Sequence, residues 1–246
     1  MRMYGIIGYP LGHSFSKNYF TEKFIREGIT DCSYEVFPIE TINEFEKLLL
    51  QYPLLQGLNI TIPHKQSVLR YLDDVANLPA ALPACNCIKI INGKLIGYNT
   101  DIIGFEMSLK AQLKNHHSKA LVLGNGGAAA AVKFVLAKLG IVFKIVTRKK
   151  IAGHDLTYAD LDENIINDHL LIINTTPLGT FPNVDECPDI PYQYLTQKHF
   201  LYDLVYNPGK TLFLQKGEEH GASIKNGYDM LVIQAEESWR IWTGTN

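Results

Sequence analysis

Cysteine is scarce in this chain, long apolar runs are missing, and neither sign of charge dominates. The four cysteines, Cys32, Cys85, Cys87 and Cys187, form no CxxC pair and no Cys/His set with zinc spacing. Neither a disulfide framework nor a metal site is therefore expected, and Cys85 and Cys87 read as reduced packing residues in a probable strand. No stretch approaches the ~20 apolar residues of a membrane span. The N-terminal MRMYGIIGYPLGHS is too short in its apolar part for a secretory signal, so a cytoplasmic protein without membrane contact is expected. Lys and Arg number 23 against 25 Asp and Glu, a formal charge of -2 with pI near 6.4. The longest positive run is Arg148 to Lys150, too little for a nucleic-acid footprint. No repeat of 20 to 50 residues and no low-complexity tract occurs. What remains is a chain of 246 residues, 46% hydrophobic, long enough for two domains with sizeable cores.

The most informative stretch is ALVLGNGGAAA, Ala120 to Ala130. Ala120 to Leu123 read as a short buried strand and Ala128 to Leu139 as a helix. Between them Gly124, Gly126 and Ala129 have the G-x-G-x-x-[G/A] spacing of a dinucleotide-binding turn. One glycine there must adopt backbone angles closed to other residues, and another must let main-chain N–H groups approach a pyrophosphate. Gly124, Asn125, Gly126, Gly127 and Ala128 are accordingly expected to hold cofactor phosphates. The alternative is a tight strand-to-helix turn with no ligand. After the second strand, Val142 to Thr147, an NAD site usually carries a carboxylate for the ribose 2′-hydroxyl; here Thr147, Arg148, Lys149 and Lys150 follow. An Arg guanidinium can bond a 2′-phosphate that a carboxylate would repel, so the expected cofactor is NADP.

Strands and helices alternate through the rest of the chain, the mark of an α/β fold with helix-covered parallel sheets. A strand at Met3 to Gly8 leads to a helix from about Lys17 to Glu27, with Ser16 as N-cap and Gly28 as C′ residue. Cys32 to Phe37 form the next strand, and Thr41 with Glu44 makes a capping box. Gly57 to Ile62 read as a buried parallel strand, with a helix at His64 to Leu72 placing Asn59, Thr61 and Lys65 at the strand's ligand-binding end. Asn92 and Gly93 mark a two-residue hairpin that Asn86 precedes, and a helix from about Gly104 to Leu113 follows Asp101, which could merely cap it. Further strands are expected at Leu170 to Asn174, Phe200 to Val205 and Ala222 to Lys225, with a last helix from about Asp229 to Trp242.

These pieces together resemble the shikimate dehydrogenases. HSFS at His13 to Ser16, NITIPHK at Asn59 to Lys65, Asn86, GYNTD at Gly97 to Asp101 and GNGGAA at Gly124 to Ala129 match in order. INTTPLG at Ile173 to Gly179, YDLVYNP at Tyr202 to Pro208 and GYDMLVIQA at Gly227 to Ala235 carry the match to nearly the full length. The resemblance implies an α/β protein of two domains with a cleft between them. Residues 1–114, completed by the helix 229–246, would bind substrate, and residues 115–228 would form a Rossmann NADP domain. It also implies Lys65 and Asp101 as catalytic residues and Ser14, Ser16, Asn59, Thr61, Asn86, Tyr206 and Gln234 as the substrate site. On the cofactor side it adds Thr147, Arg148, Lys149, Thr175, Leu204 and Gly227 to the glycine turn. The implied reaction is reversible NADP-dependent conversion of 3-dehydroshikimate and shikimate, on the chorismate route to aromatic amino acids, by a monomer or homodimer.

The chemistry is consistent, since oxidising a secondary alcohol by hydride transfer also requires removal of the hydroxyl proton, and a lysine can carry it. Departures from the family pattern are Lys17 for a proline, Phe20 and Thr21 for a histidine and an asparagine, Thr180 for a methionine, and a cofactor loop that keeps only its arginine. Quinate as substrate, NAD as cofactor, and a non-catalytic dinucleotide sensor stay open as alternatives.

Overall fold

Short apolar strands separated by helices build two sheets. The computed structural model describes residues 1–12, 14–149 and 156–244. His13 of the HSFS stretch and Lys150 of the basic run lie outside the described residues, as do 245–246 of the last helix. The first sheet contains β1 (Arg2–Gly8), β2 (Cys32–Pro38), β3 (Leu55–Ile60), β4 (Cys87–Ile91) and β5 (Lys94–Tyr98), in the order β2-β1-β3-β4-β5. The first three run parallel, and β4 and β5 form an antiparallel hairpin on β3. Asn92 (φ 51) and Gly93 (φ 79) turn that hairpin with two left-handed residues, as a type I′ turn requires.

Alternation along β1 sends Ile6 and Ile7 to opposite faces. Ile7 joins Phe37, Phe45, Leu58 and Ile60 under α2 (Phe45–Gln51), whereas Ile6 joins Tyr4, Phe20, Tyr34 and Cys87 under α1 (Phe15–Arg26). Cys85, just outside β4, packs into the first cluster and Cys87 into the second; both thiols are free and buried. Burial pushes the Cys85 thiol up to about 11, so it remains a packing group rather than a thiolate.

The second sheet is wholly parallel and has six strands: β6 (Lys119–Leu123), β7 (Val142–Thr147), β8 (Leu156–Thr157), β9 (Leu171–Asn174), β10 (Phe200–Asp203) and β11 (Ser223–Lys225). Its order, β11-β10-β9-β6-β7-β8, reads 3-2-1-4-5-6 from the β8 edge when the unit's own strands are counted, which is the dinucleotide-binding order. Helices α4 (Gly127–Lys138), α5 (Glu163–Asp168) and α6 (Leu212–Glu219) fill the crossovers. β8 and α5 were not anticipated: two residues of strand and six of helix carry too little periodicity to stand out. Asp162 starts α5 by accepting from Ile165 N–H at 2.8 Å.

Two longer helices complete the chain, α3 (Thr100–Lys110) and α7 (Tyr228–Thr243). The chain divides into one unit of Met1–Gly104 with Leu231–Asn246 and a second of Phe105–Met230. Most of α7 thus belongs with the first sheet, where Trp242 stacks on Tyr4 with ring centroids 4.9 Å apart and donates from Nε1 to Ile88 O at 2.9 Å. A Cβ on Gly57 would come within 2.3 Å of that indole. The ring is held on both sides, so Gly57→Ala is expected to destabilise the protein by about 1–3 kcal/mol through overpacking. A lowered midpoint in urea unfolding would register this, and an unchanged midpoint would mean that the indole shifts freely.

Candidate active site

In the first unit the ends of β1, β3 and β5 and the start of antiparallel β4 share one edge of the sheet, and the candidate side chains follow from that topology. Thr61 leaves β3 with its N–H on Ile7 O at 2.9 Å. Lys65 stands in the turn after it, not in the first turn of an α-helix as the sequence suggested. Residues 62–66 form turns, and only a 3-10 helix, Ser67–Tyr71, follows. The bonds His64 N to Thr61 O, Leu69 N to Gln66 O and Leu72 N to Leu69 O reach back three residues, with a single four-residue bond, Val68 N to His64 O, between them, so most of this segment is tightly wound.

Lys65 Nζ donates to Asp101 Oδ2 at 2.6 Å, with the two side chains 28% and 14% exposed. Asp101 lies in the first turn of α3, which begins four residues earlier than expected. Asn99 supplies the cap: its Oδ1 accepts from Ile102 N–H at 3.3 Å. The carboxylate of Asp101 is therefore not consumed as a cap and is available to the lysine.

Asn59, Asn86 and Gln234 are drawn into one buried network. Asn59 Oδ1 accepts from Tyr34 OH at 2.8 Å, and its Nδ2 donates to Asn86 O and to Ser238 Oγ. Asn86 Oδ1 accepts from Thr100 N–H at 2.6 Å, and its Nδ2 donates to Thr100 Oγ1 and to Gln234 Oε1. Ser14, not Ser16, is the N-cap of α1, accepting from Lys17 N–H at 3.3 Å; Ser16 lies buried in the first turn. The helix starts earlier because Lys17 N–H needs an acceptor three residues back, and only Ser14 is there. Tyr34, Thr100 and Ser238 were not singled out from the sequence. Thr100 and Ser238 had faint signals, one beside Asp101 and the other one helical turn after Gln234; Tyr34 had none.

In the second unit the glycine turn falls at the switch point between β6 and β9, where neighbouring strands continue in opposite directions across the sheet. Gly124 has φ +97, and a Cβ there would lie 2.9 Å from Thr176 Cγ2 and 3.0 Å from Thr175 Oγ1. Gly126 and Gly127 face open space, with nothing within 4 Å of an added Cβ. Gly126 begins α4 without a side-chain cap, so the helix's first N–H groups point outward unmasked by a side chain. Ala129 is fully buried against the strand. This cradle fits a pyrophosphate.

After β7, Thr147 is buried and donates from Oγ1 to Lys149 O at 2.7 Å, leaving Arg148 and Lys149 exposed. Among the described residues Arg148 makes no hydrogen bond or ion pair, and no carboxylate occupies the β7 end. That donor set fits a 2′-phosphate better than a ribose diol.

Thr175 hangs its N–H and Oγ1 on Leu123 O, at 2.9 and 2.7 Å. Beyond β10, Leu204 N donates to Asn174 O, and a Cβ on Gly227 would meet Leu204 O at 2.2 Å, so only glycine lets these segments touch. Asp203, fully buried, accepts from Asn174 Nδ2, Val205 N–H and Thr211 Oγ1. Burial pushes its carboxyl up to about 6 against the pull of those three donors. Tyr206 follows on this loop, half-buried, with its phenol raised by desolvation. Among the described residues no group of His, Cys, Asp and Glu could hold a metal ion, and no helix is long and apolar enough to cross a membrane.

Residues 6–88 match the family model for the shikimate dehydrogenase substrate binding domain. The NADP(+) shikimate dehydrogenase of Methanococcus aeolicus is 37% identical over an alignment covering 99% of this chain and 92% of that protein. A crystal structure of a shikimate dehydrogenase in complex with NADP+ superposes with a TM-score of 0.85 at 31% identity, covering 100% of this chain and 91% of that one. Shikimate 5-dehydrogenase from Listeria monocytogenes, crystallised with shikimate and NAD, gives 0.87 at 26% identity, covering 100% and 92%. With the paired lysine and aspartate at the edge of one sheet and the dinucleotide turn in the other, these matches establish that the chain belongs to the shikimate dehydrogenase family.

Proposed function

We propose that this chain catalyses reversible NADP-dependent hydride transfer between shikimate and 3-dehydroshikimate, with the first unit binding the cyclic acid and the second the dinucleotide. The observation that carries the reading to these residues is the Lys65–Asp101 pair, 2.6 Å apart and freed for chemistry by the Asn99 cap. Bound NADP supplies the hydride acceptor. In the oxidative direction Lys65 takes the proton of the reacting hydroxyl on its free amine, and Asp101 holds the lysine in place, accepts from the ammonium that forms, and accepts a hydrogen bond from a neighbouring hydroxyl of the ligand. In reduction Lys65 returns the proton to the carbonyl oxygen. The carboxylate and remaining hydroxyls of the ligand fall to Ser14, Ser16, Asn59, Thr61, Asn86 and Gln234 of the first unit. Hydroxyl readers of this kind discriminate strongly against analogues that lack the group. Gly124 to Ala128, Thr175, Leu204 and Gly227 hold the cofactor, with Thr147, Arg148 and Lys149 around its 2′-phosphate.

Turnover of NADP with shikimate, compared with quinate and with NAD, tests the reading directly. Shikimate with NADP is expected to be the best pair, and no activity with either acid would overturn it. Lys65→Ala is expected to lower kcat by ~10² or more and to leave shikimate binding nearly unchanged, as loss of a general acid/base should. Near-normal turnover would remove Lys65 from catalysis. Asp101→Asn should impair both turnover and binding, because it alters a hydroxyl acceptor and the lysine's partner together. Unchanged kinetics would leave the Lys65–Asp101 ion pair a structural contact only. Arg148→Ala is expected to raise the KM for NADP by ~10-fold or more, since a charge-assisted bond contributes ~1.5–3 kcal/mol, and to spare NAD. An equal loss with both cofactors would place the guanidinium on adenine or solvent instead.

A further inference from the structure

In the buried network next to Asp101 the side-chain amides of Asn59, Asn86 and Gln234 have one consistent orientation. Its fixed point is a backbone donor: Thr100 N–H points at Asn86 Oδ1 at 2.6 Å. The other end of that amide, Nδ2, must therefore face Thr100 Oγ1 at 3.0 Å and Gln234 Oε1 at 3.1 Å. Gln234 is in turn oriented with its oxygen inward. Its Nε2 then points away from Asn86 with two N–H donors and no partner among the described residues. A second fixed point is Ser238, fully buried on α7, whose hydroxyl proton goes to Gln234 O at 2.9 Å. Ser238 Oγ can then only accept, from Asn59 Nδ2 at 3.0 Å and from the Thr100 hydroxyl at 3.3 Å, a proton that Thr100 shares with Asn86 Oδ1, also at 3.3 Å. Tyr34 OH closes the chain on Asn59 Oδ1 at 2.8 Å.

We propose that Ser238 is a positioning residue for the reaction: Thr100 N–H sets which way the Asn86 and Gln234 amides are turned, and Ser238, through Asn59 and Thr100, holds those two amides firmly in place, so that Gln234 presents hydrogen-bond donors and the site at this edge selects an acceptor oxygen on the ligand. Ser238 reaches the ligand only through these neighbours. Without its oxygen, Asn59 Nδ2 loses one acceptor and Thr100 Oγ1 loses another, in a place that water does not reach. Asn59 and the Thr100 side chain are then held less firmly, Asn86 loses the rigid neighbours it packs on, and the share of molecules with Gln234 correctly placed falls.

The inference rests on the functional reading above, and the experiment separates the two. Ser238→Ala, Thr100→Val and Thr100→Ser are compared with wild type for kcat, for KM toward shikimate and toward NADP, and for the urea midpoint. Ser238→Ala and Thr100→Val are expected to raise the KM for shikimate by about 10-fold, the size of one or two lost buried hydrogen bonds. Their KM for NADP should stay within about twofold of wild type, a change under 0.5 kcal/mol. Thr100→Ser, which keeps the hydroxyl, should restore the wild-type KM. An unmoved shikimate KM in Ser238→Ala on an active enzyme overturns the inference alone. So does an equal loss for shikimate and NADP together with a lowered midpoint that Thr100→Ser fails to rescue. Wild-type protein that neither binds nor oxidises shikimate overturns the functional reading and this inference with it.

Discussion

An indole ring resting on a glycine closes the first unit. Trp242 covers Gly57 on β3, stacks on Tyr4 of β1 and bonds Ile88 O on β4, so one side chain near the end of α7 touches three strands laid down long before it in the chain. Everything that α7 contributes to the candidate site depends on that anchor. Gln234 and Ser238 lie two and one helical turns before Trp242, and they stand over Asn86 and Asn59 only because the ring fixes the rotation and height of the helix. The apolar cluster of Tyr4, Phe20, Phe24, Tyr34 and Trp242 supplies the affinity, and the polar contacts above it supply the register.

The second unit solves a different problem, that of bringing loops from separate strands to one edge without side chains in the way. Gly124 turns at a φ that other residues resist, Gly126 and Gly127 leave the space over α4 clear, and Gly227 lets the segment after β11 lie directly on Leu204 O. Asn174 and Asp203, buried at the ends of adjacent strands, tie the Thr175–Thr176 turn to the loop that starts at Leu204. A carboxyl held near 6 by burial, with three donors aimed at it, is a costly way to stiffen a loop. Its place at the strand ends fits a need for loop geometry rather than for stability alone.

Features set by local chemistry were legible from the residues alone. Asn92–Gly93 forces a two-residue hairpin, Thr41 with Glu44 makes its capping box, and the strand bounds Val142 to Thr147 were read without error. The reading failed where two local solutions compete and tertiary contacts choose. Ser14 and Ser16 can both cap α1, Asn99 and Asp101 can both cap α3, and the segment after Pro63 can wind as α or as 3-10 helix. The amide network was invisible for a further reason. Tyr34, Asn59, Asn86, Thr100 and Ser238 come from five separate segments, and no periodicity within one segment reports on a hydrogen bond between two.

The choice between caps has a chemical consequence that ties the two levels together. A helix N-terminus attracts a carboxylate, and Asp101 in the first turn of α3 would satisfy free N–H groups there if nothing else did. Asn99 Oδ1 takes Ile102 N–H and Asn86 Oδ1 takes Thr100 N–H, so two neutral amides meet the backbone's demand. The negative charge is left to Lys65, at the mouth of a turn whose tight winding keeps the lysine near the end of β3. The same backbone N–H of Thr100 that frees the aspartate also orients Asn86 and, beyond it, Gln234. Proton transfer and ligand recognition in this unit thus share one structural origin, the first residue of α3.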